Sequence, residues 1–267
     1  MEKLKIGIIG LGYVGNSIYN SFKSKGANLW AIYDKFKEGG IGCLEKTLEC
    51  AIVFIALPTN FSEETKSFDL EPITETCKFF QNNNYNGIIV IKSTLEPNTC
   101  ENLCSLHNLK IIHNPEFLSA KTAFEDFHNQ KHIVLGKTSK INEELEIIFN
   151  FYNHYYKNSE ISICTSTESE MMKIFLNSFY AVKIQFFNEI FFACRDSNVE
   201  YNNVLELMLK NGWINPMHTK VPGTDGKFSY GGMCFPKDTN SLNEFLKRRN
   251  LPNKVLEATI KERNDVR

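Results

Sequence analysis

The octapeptide Gly231-Gly232-Met233-Cys234-Phe235-Pro236-Lys237-Asp238 sets a thiol, a cation and a carboxylate in one short segment. A thiolate is a nucleophile, and a cation beside it favours the ionised form. The two glycines lack a Cβ and let the backbone pass close to a ligand. Cys234 then stands at a pocket wall, and Pro236 stiffens the stretch that carries Lys237 and Asp238. On this reading Cys234 is a nucleophile. The same eight residues also suit an unreactive cysteine packed as a small hydrophobe, and the segment alone does not separate the two.

A second cluster lies near the other end of the chain. Gly10-Leu11-Gly12-Tyr13-Val14-Gly15 follows an apolar run at residues 4–9 and opens a helical pattern that reaches Phe22. Residues 28–33 form another apolar run, ending at Asp34. Strand, G-x-G-x-x-G, helix, strand and acid is the order in which a dinucleotide site is built. Gly10 permits the tight turn, Gly12 lets a pyrophosphate reach the helix N-terminus, and Gly15 lets helix and strand pack closely. Asp34 is expected to accept from both ribose hydroxyls of an adenosine and to repel a 2′-phosphate. That favours NAD over NADP, with Lys35 next door pulling the other way.

A third constellation sits on a long helical pattern at residues 167–195, apolar on most of its circumference and so destined for a core or an interface. Glu170, Lys173, Asn177 and Asn188 fall on one narrow stripe of it, because spacings of three, four and eleven return to nearly the same face. Buried polar groups need partners. Lys173 either bridges to Glu170 or joins Asn177 as a pair of donors aimed into a site.

The elements that must position these groups alternate. Strands are expected at 51–56, 87–91, 109–112, 133–135 and 161–164, with helices at about 72–81, 97–106 and 141–155, the first capped by Asp69. Such alternation predicts an α/β, Rossmann-type, doubly wound and mostly parallel sheet. Ligands of that architecture bind beyond the carboxyl ends of the strands, where Asp34, Thr59, Thr94 and Glu116 fall. For Thr94 and Glu116, plain turn chemistry explains the residue types equally well. After the long helix come a helix at 199–209, a loop at 213–230, and helices at 239–249 and 253–265. Residues 1–165 are thus expected to form a dinucleotide domain, and 166–267 a smaller helical one.

Composition narrows the classes. Net charge is −1 and the one compact basic cluster is Lys247-Arg248-Arg249, a solvated helix face, so no nucleic-acid partner is expected. Glu2, Lys3 and Lys5 precede only a short apolar run, which reads as a strand and not a signal peptide. The most apolar stretch, 171–194, is broken by charged and amide residues, so no membrane span is expected. Eight cysteines without regular spacing fit reduced thiols in a cytoplasmic setting and no structural metal.

Five blocks in order make the chain resemble the UDP-glucose/GDP-mannose dehydrogenase family. They are Gly10 to Gly15, Lys92-Ser93-Thr94, Asn114-Pro115-Glu116-Phe117-Leu118, the helix with Glu170, Lys173 and Asn177 that reaches Asn188-Glu189, and Gly231 to Asp238. The resemblance implies NAD-dependent oxidation of a nucleotide sugar at C6, with UDP-glucose the nearest substrate. It implies two hydride transfers through a Cys234 thiohemiacetal and thioester. It further implies that Lys173 and Asn177 stabilise negative charge on the substrate oxygen, that Asp238 and Glu116 move protons, and that Thr94 positions the hydrolytic water. By the same resemblance Gly10, Gly12, Tyr13, Val14, Gly15, Asp34, Thr59, Thr94 and Lys237 face the cofactor. Glu116, Phe117, Leu118, Lys173, Asn177, Phe228, Tyr230 and Gly231 face the sugar nucleotide. Separately, the apolar long helix predicts a homodimer paired through it, since the second domain is too small to cover it.

The chain departs from the family pattern in three ways. It ends where a third, nucleotide-covering domain ordinarily begins. Ser119-Ala120-Lys121 offers no acid after the Asn-Pro-Glu-Phe-Leu block, and Asn60 replaces a usual proline. Two other readings stay open: a single-hydride β-hydroxyacid-type dehydrogenase, which needs no thiol, and a catalytically silent nucleotide-binding protein.

Overall fold

The computed structural model describes residues 4–267; Glu2 and Lys3, placed by the sequence ahead of the first strand, lie outside them. The chain runs β1 (Ile6–Ile9), α1 (Tyr13–Ser24), β2 (Leu29–Tyr33), β3 (Ile52–Ile55), then a short antiparallel hairpin of β4 (Phe61–Ser62) and β5 (Ser67–Phe68). It continues through α2 (Glu71–Asn82), β6 (Ile88–Ile91), α3 (Thr99–His107), β7 (Lys110–His113), α4 (Ala123–His128), β8 (His132–Lys137), α5 (Glu144–Tyr155) and β9 (Glu160–Thr165). Four helices follow: α6 (Ser166–Asp196), α7 (Tyr201–Lys210), α8 (Phe235–Arg248) and α9 (Lys254–Val266).

The chain forms two compact units. One holds the described residues through Thr59 together with Asp69–Lys173; the other holds Asn60–Phe68 and Ile174–Arg267. The first contains a seven-stranded sheet in the order β2-β1-β3-β6-β7-β8-β9. Its neighbours are parallel except β7 and β8. This is the mostly parallel, doubly wound sheet expected from the alternation. Successive side chains point to opposite faces. Accordingly Ile6, Ile8, Phe54, Val90 and Ile112 enter one buried cluster, and Val53, Ile55, Ile89, Ile91 and Ile111 enter the other. Burial on both faces explains why the strands read as unbroken apolar runs, and each fully buried large side chain contributes about 1.5–3 kcal/mol.

The register sets the site. Ile9 pairs with Ile55, Ile55 with Ile91, and Ile91 with His113, so Gly10, Ala56, Lys92 and Asn114 all leave the sheet at one level on its carboxyl edge. Asp69 accepts from the Glu71 N–H at 2.9 Å, the capping role expected of it, from one residue before the cap position itself.

In the second unit Phe187, Cys194, Tyr201 and Val221 form a core, with Phe191 and Phe228 packed on it. The β4–β5 hairpin lies against α8, where Arg248 Nη1 donates to the Lys66 carbonyl at 2.7 Å. One expectation is corrected here. The helix expected at 239–249 begins at Phe235 with Cys234 at its N-cap, so Lys237 and Asp238 are helical rather than part of a stiffened loop. Pro236 starts that helix, because its missing N–H has no partner to lose in a first turn and its φ is already helical. Among the described residues no disulfide forms, and no helix is long and apolar enough to cross a membrane.

Candidate active site

In the first unit the turn between β1 and α1 needs its glycines for separate reasons. Gly10 has φ +88°, and a Cβ there would lie 2.5 Å from the Ala56 carbonyl oxygen. A Cβ on Gly15 would lie 1.7 Å from the Gly10 carbonyl oxygen, so the helix packs directly on the turn. Gly12 differs: nothing lies within 4 Å of its absent Cβ, and as N-cap of α1 it supplies no side-chain cap. The first turn of α1 thus faces an open cradle with its N–H groups uncapped by a side chain, which is the arrangement that receives a pyrophosphate. Tyr13 is exposed and Val14 packs on the core beneath.

Asp34 is more engaged than its sequence position suggests. One carboxylate oxygen accepts from Leu11 N at 2.7 Å, the other from Phe36 N and Lys37 N at 3.0 and 2.9 Å. Burial works the other way, but the N–H groups of Leu11, Lys37 and Phe36 hold its carboxyl below the usual range. Lys37 Nζ donates to the Leu11 carbonyl. Asp34 therefore ties the second strand to the glycine turn, and its remaining lone pairs are what a ribose would meet.

The next group comes from the ends of β6 and β7 and the start of α6. Lys173 Nζ lies 3.3 Å from Glu116 Oε1, with both side chains largely buried. Glu116 Oε2 accepts from Leu118 N at 2.7 Å, closing the turn that carries it. Phe117 stacks on the His132 ring and receives the Lys173 ammonium 5.5 Å from its centroid, while Leu118 packs against the core. Thr94 is buried, and its carbonyl accepts from Thr59 Oγ1 at 2.8 Å. Thr59 thus braces the neighbouring strand end.

Glu170 is not the partner of Lys173. Its carboxylate accepts from Asn98 N and Cys100 N at 2.6 and 2.7 Å and so caps the start of α3. Burial pushes its carboxyl up to about 7 even though those N–H groups pull it down. Asn188, also on the expected stripe, accepts from Ser229 N at 2.9 Å and holds a loop.

In the second unit Cys234 is exposed at the N-terminus of α8. One turn on, Asp238 is fully buried; its Oδ2 accepts from Asn177 Nδ2 at 2.6 Å and its Oδ1 from Lys237 Nζ at 2.6 Å. Lys237 also lies over the Phe68 ring, 4.5 Å from its centroid. Lys237 and Asp238 of the octapeptide thus pair with each other. Its two glycines differ in their surroundings. A Cβ on Gly231 would lie 2.0 Å from Arg267 Nη2, so its bare Cα packs against a guanidinium, whereas Gly232 has φ +76° and open space around it. Tyr230 is buried, its carbonyl held by Arg263 Nε at 3.1 Å, and Phe228 packs against Phe191 and Phe192. Both side chains belong to the core of this unit, because Arg263 and Arg267 pull their loop inward.

Residues outside the expected site also matter. Lys92, buried at the end of β6, donates to Asn114 Oδ1 at 2.7 Å; His113 Nδ1 pairs with Ser169 Oγ at 2.8 Å. Burial lowers Lys92 to about 7 and His113 to about 3. For the former the sequence holds two signals: a lysine directly after four buried aliphatics, and its place at the head of the Lys92-Ser93-Thr94 block.

Two parts of the UDP-glucose/GDP-mannose dehydrogenase family match the chain: the NAD binding domain over residues 42–156 and the central domain over residues 167–265. The first match begins after Gly15 and Asp34, so the geometry of that turn is a separate observation. The UDP-glucose 6-dehydrogenase of Campylobacter jejuni is 26% identical over 99% of this chain and 72% of its own length. That of Rickettsia bellii is 31% identical over 82% of this chain and 50% of its own length, so the chain spans about half of that relative. Among solved structures, a UDP-glucose dehydrogenase from Pyrobaculum islandicum superposes with a TM-score of 0.78 at 21% identity, over 97% of this chain and 68% of its own. The 3-hydroxyisobutyrate dehydrogenase of Mycobacterium tuberculosis shares the fold with a TM-score of 0.73 at 13% identity, over 97% of this chain and 91% of its own.

Proposed function

Because the chain belongs to the UDP-glucose/GDP-mannose dehydrogenase family, we propose that it oxidises the C6 alcohol of a nucleotide sugar, UDP-glucose first among candidates, to the uronic acid. Its cofactor is NAD, which when bound would take up the hydride that C6 loses at each of two oxidations. The open cradle at Gly12 and the acid at Asp34 fit that cofactor. In this reading residues 1–165 hold NAD, with Tyr13, Val14, Thr59, Thr94 and Lys237 around it, and residues 166–267 carry Lys173, Asn177 and Cys234.

The observation that carries the proposal is Cys234 at the head of α8 with the Asp238–Asn177 pair one turn behind it. The partial positive end of a helix favours an anion at its N-terminus. Oxidising one carbon twice needs a covalent handle, since an unhydrated aldehyde is a poor hydride donor and a thiohemiacetal a good one. The first hydride leaves C6 as the hydroxyl proton passes to a base. Cys234 Sγ then bonds to the aldehyde carbon, and the carbonyl oxygen takes a proton. Loss of the second hydride and that proton leaves a thioester. Water adds, the C–S bond breaks and the thiolate returns. In balance, two hydrides go to two NAD, one water enters, and three protons are released.

Lys173 and Asn177 supply the donors that stabilise charge on the substrate oxygen, and preorganised donors in a water-poor site are worth most. Glu116 and Asp238 exchange protons, and Thr94 orients the water. The Lys173–Glu116 ion pair supports this division, because it sets a donor and an acceptor side by side at the carboxyl edge of the sheet. Phe117, Leu118 and the 228–231 loop shape the sugar-nucleotide pocket, with Phe228 and Tyr230 acting by holding the loop backbone and Gly231.

Two copies pair through α6. Phe175, Phe179 and Phe186 are 44%, 60% and 52% exposed, and their spacings of four and seven put them on one face of the helix.

The test is to incubate the protein with NAD and UDP-glucose and count NADH per sugar consumed. Two per sugar is expected. One would favour the single-hydride alternative, which requires no thiol, and none with NAD still bound would sink UDP-glucose oxidation by this chain.

A further inference from the structure

Lys92 is a buried cation that the reaction above does not use. It stands directly after β6, 2% exposed, with its ammonium on Asn114 Oδ1 at 2.7 Å and 5.4 Å from the Phe127 ring centroid. Asn114 is tied on every side: its N–H donates to the Ile91 carbonyl at 2.8 Å, its Nδ2 to the Val134 carbonyl at 2.7 Å, and its Oδ1 also receives the Tyr152 hydroxyl. Two residues on is Glu116, which closes its turn on Leu118 N and meets Lys173.

Burying an ammonium is costly, and an apolar side chain of similar length would fill the space beside Phe127 without that cost. A charged donor holds an amide oxygen more tightly than a neutral one. We propose that Lys92 is a positioning residue for Glu116: through Asn114, its ammonium holds the turn 114–118 in the register in which Glu116 meets Lys173. The inference rests on the catalytic reading of Glu116, but its geometry can be tested without turnover.

The charge that does the holding is itself conditional. Burial lowers Lys92 to about 7, with Glu116 opposing that fall and Lys173 adding to it. The other titratable groups facing it are constant around neutrality. His113 is pushed by burial down to about 3, and burial raises the Tyr152 phenol well above its usual range. The turn is therefore held firmly below pH 7 and more loosely above it.

The experiment is amide hydrogen exchange by NMR on the full chain from pH 6 to 8, reading the protection factor of Leu118, whose N–H reports the turn. In the native protein protection is expected to drop at least threefold through a midpoint near 7. Lys92→Arg stays at the high, acid-side value throughout. Lys92→Met stays at the low value, and Lys92→Gln replaces it if the Met variant does not fold. A step of equal size surviving in Lys92→Arg, a flat native profile, or a Met or Gln variant as protected as the native protein at pH 6 would each overturn the proposal. NADH formation is measured alongside. A step without NADH sinks the oxidation reading and keeps this one; NADH without a step does the reverse.

Discussion

Asn177 and Asp238 are 61 residues apart in sequence and 2.6 Å apart in the fold, the amide of one helix donating to a fully buried carboxylate at the start of another. Lys173, one turn before Asn177, pairs with a different acid, Glu116. The two donors of one helix thus each orient a separate carboxylate, and each carboxylate has its own charge partner, Lys237 for Asp238 and Lys173 for Glu116.

Removing the donor exposes that arrangement. Asn177→Ala leaves Asp238 buried with one acceptor oxygen unpaired, and a lost partner of a buried charged group costs about 1–3 kcal/mol. The urea midpoint of the variant should fall accordingly, and NADH formation with it. An unchanged midpoint would mean that Asp238 finds another donor.

In the proposed mechanism Cys234 carries the covalent steps. Cys234→Ala should bind NAD as the native protein does, since the glycine turn is untouched, while uronate formation drops by on the order of 10³-fold or more. Calorimetric titration with NAD and product analysis separate the two. A variant with native activity would end the thioester mechanism.

The cofactor cradle has a sharper probe than its structural glycines. A Cβ at Gly15 or Gly10 would strike backbone, but at Gly12 it meets no protein atom. Gly12→Ala should therefore keep its melting temperature within a few degrees and lose NAD affinity by tenfold or more. Equal affinity would place the pyrophosphate elsewhere.

Glu170 gives a pH signature. Burial raises its carboxyl to about 7, so its favourable contribution is complete below the ordinary glutamate range and is lost as pH rises through about 7. Relative to Glu170→Gln, the native protein should lose stability on the order of 3 kcal/mol between pH 4.5 and 8, since a tenfold change in proton affinity between the folded and unfolded chain is worth about 1.4 kcal/mol. His113, lowered to about 3, pulls the other way over part of that window but is common to both proteins. Denaturant midpoints at a series of pH values measure the difference. A constant difference contradicts it.

Phe179→Glu should turn a dimer into a monomer in sedimentation, because a charge would sit in the centre of the exposed aromatic stripe of α6. A native protein that sediments as a monomer would remove the pairing altogether.

Much of this is legible in the residues alone. The glycine turn, the acid at Asp34 and the alternation of elements depend on local rules, in which glycine takes a positive φ without steric cost and buried parallel strands read as aliphatic runs. The start of α8 is not legible in the same way, because Gly-Gly and Pro read as loop signals. Yet Pro is at home in a first helical turn. Phe228 and Tyr230 read as pocket residues in the sequence, whereas burial against Phe191 and Arg263 makes them core.

By itself, the sequence determined which side chains sit at strand ends and on one helical stripe, since backbone periodicity is a local property. Only the tertiary structure decided the partners. Glu170 and Lys173 share a face of α6 but serve Asn98 and Glu116, while Lys92 reaches Asn114. A buried charge takes whichever group the packing brings within about 3 Å, and that distance depends on sheet register and helix seating, which no local spacing encodes.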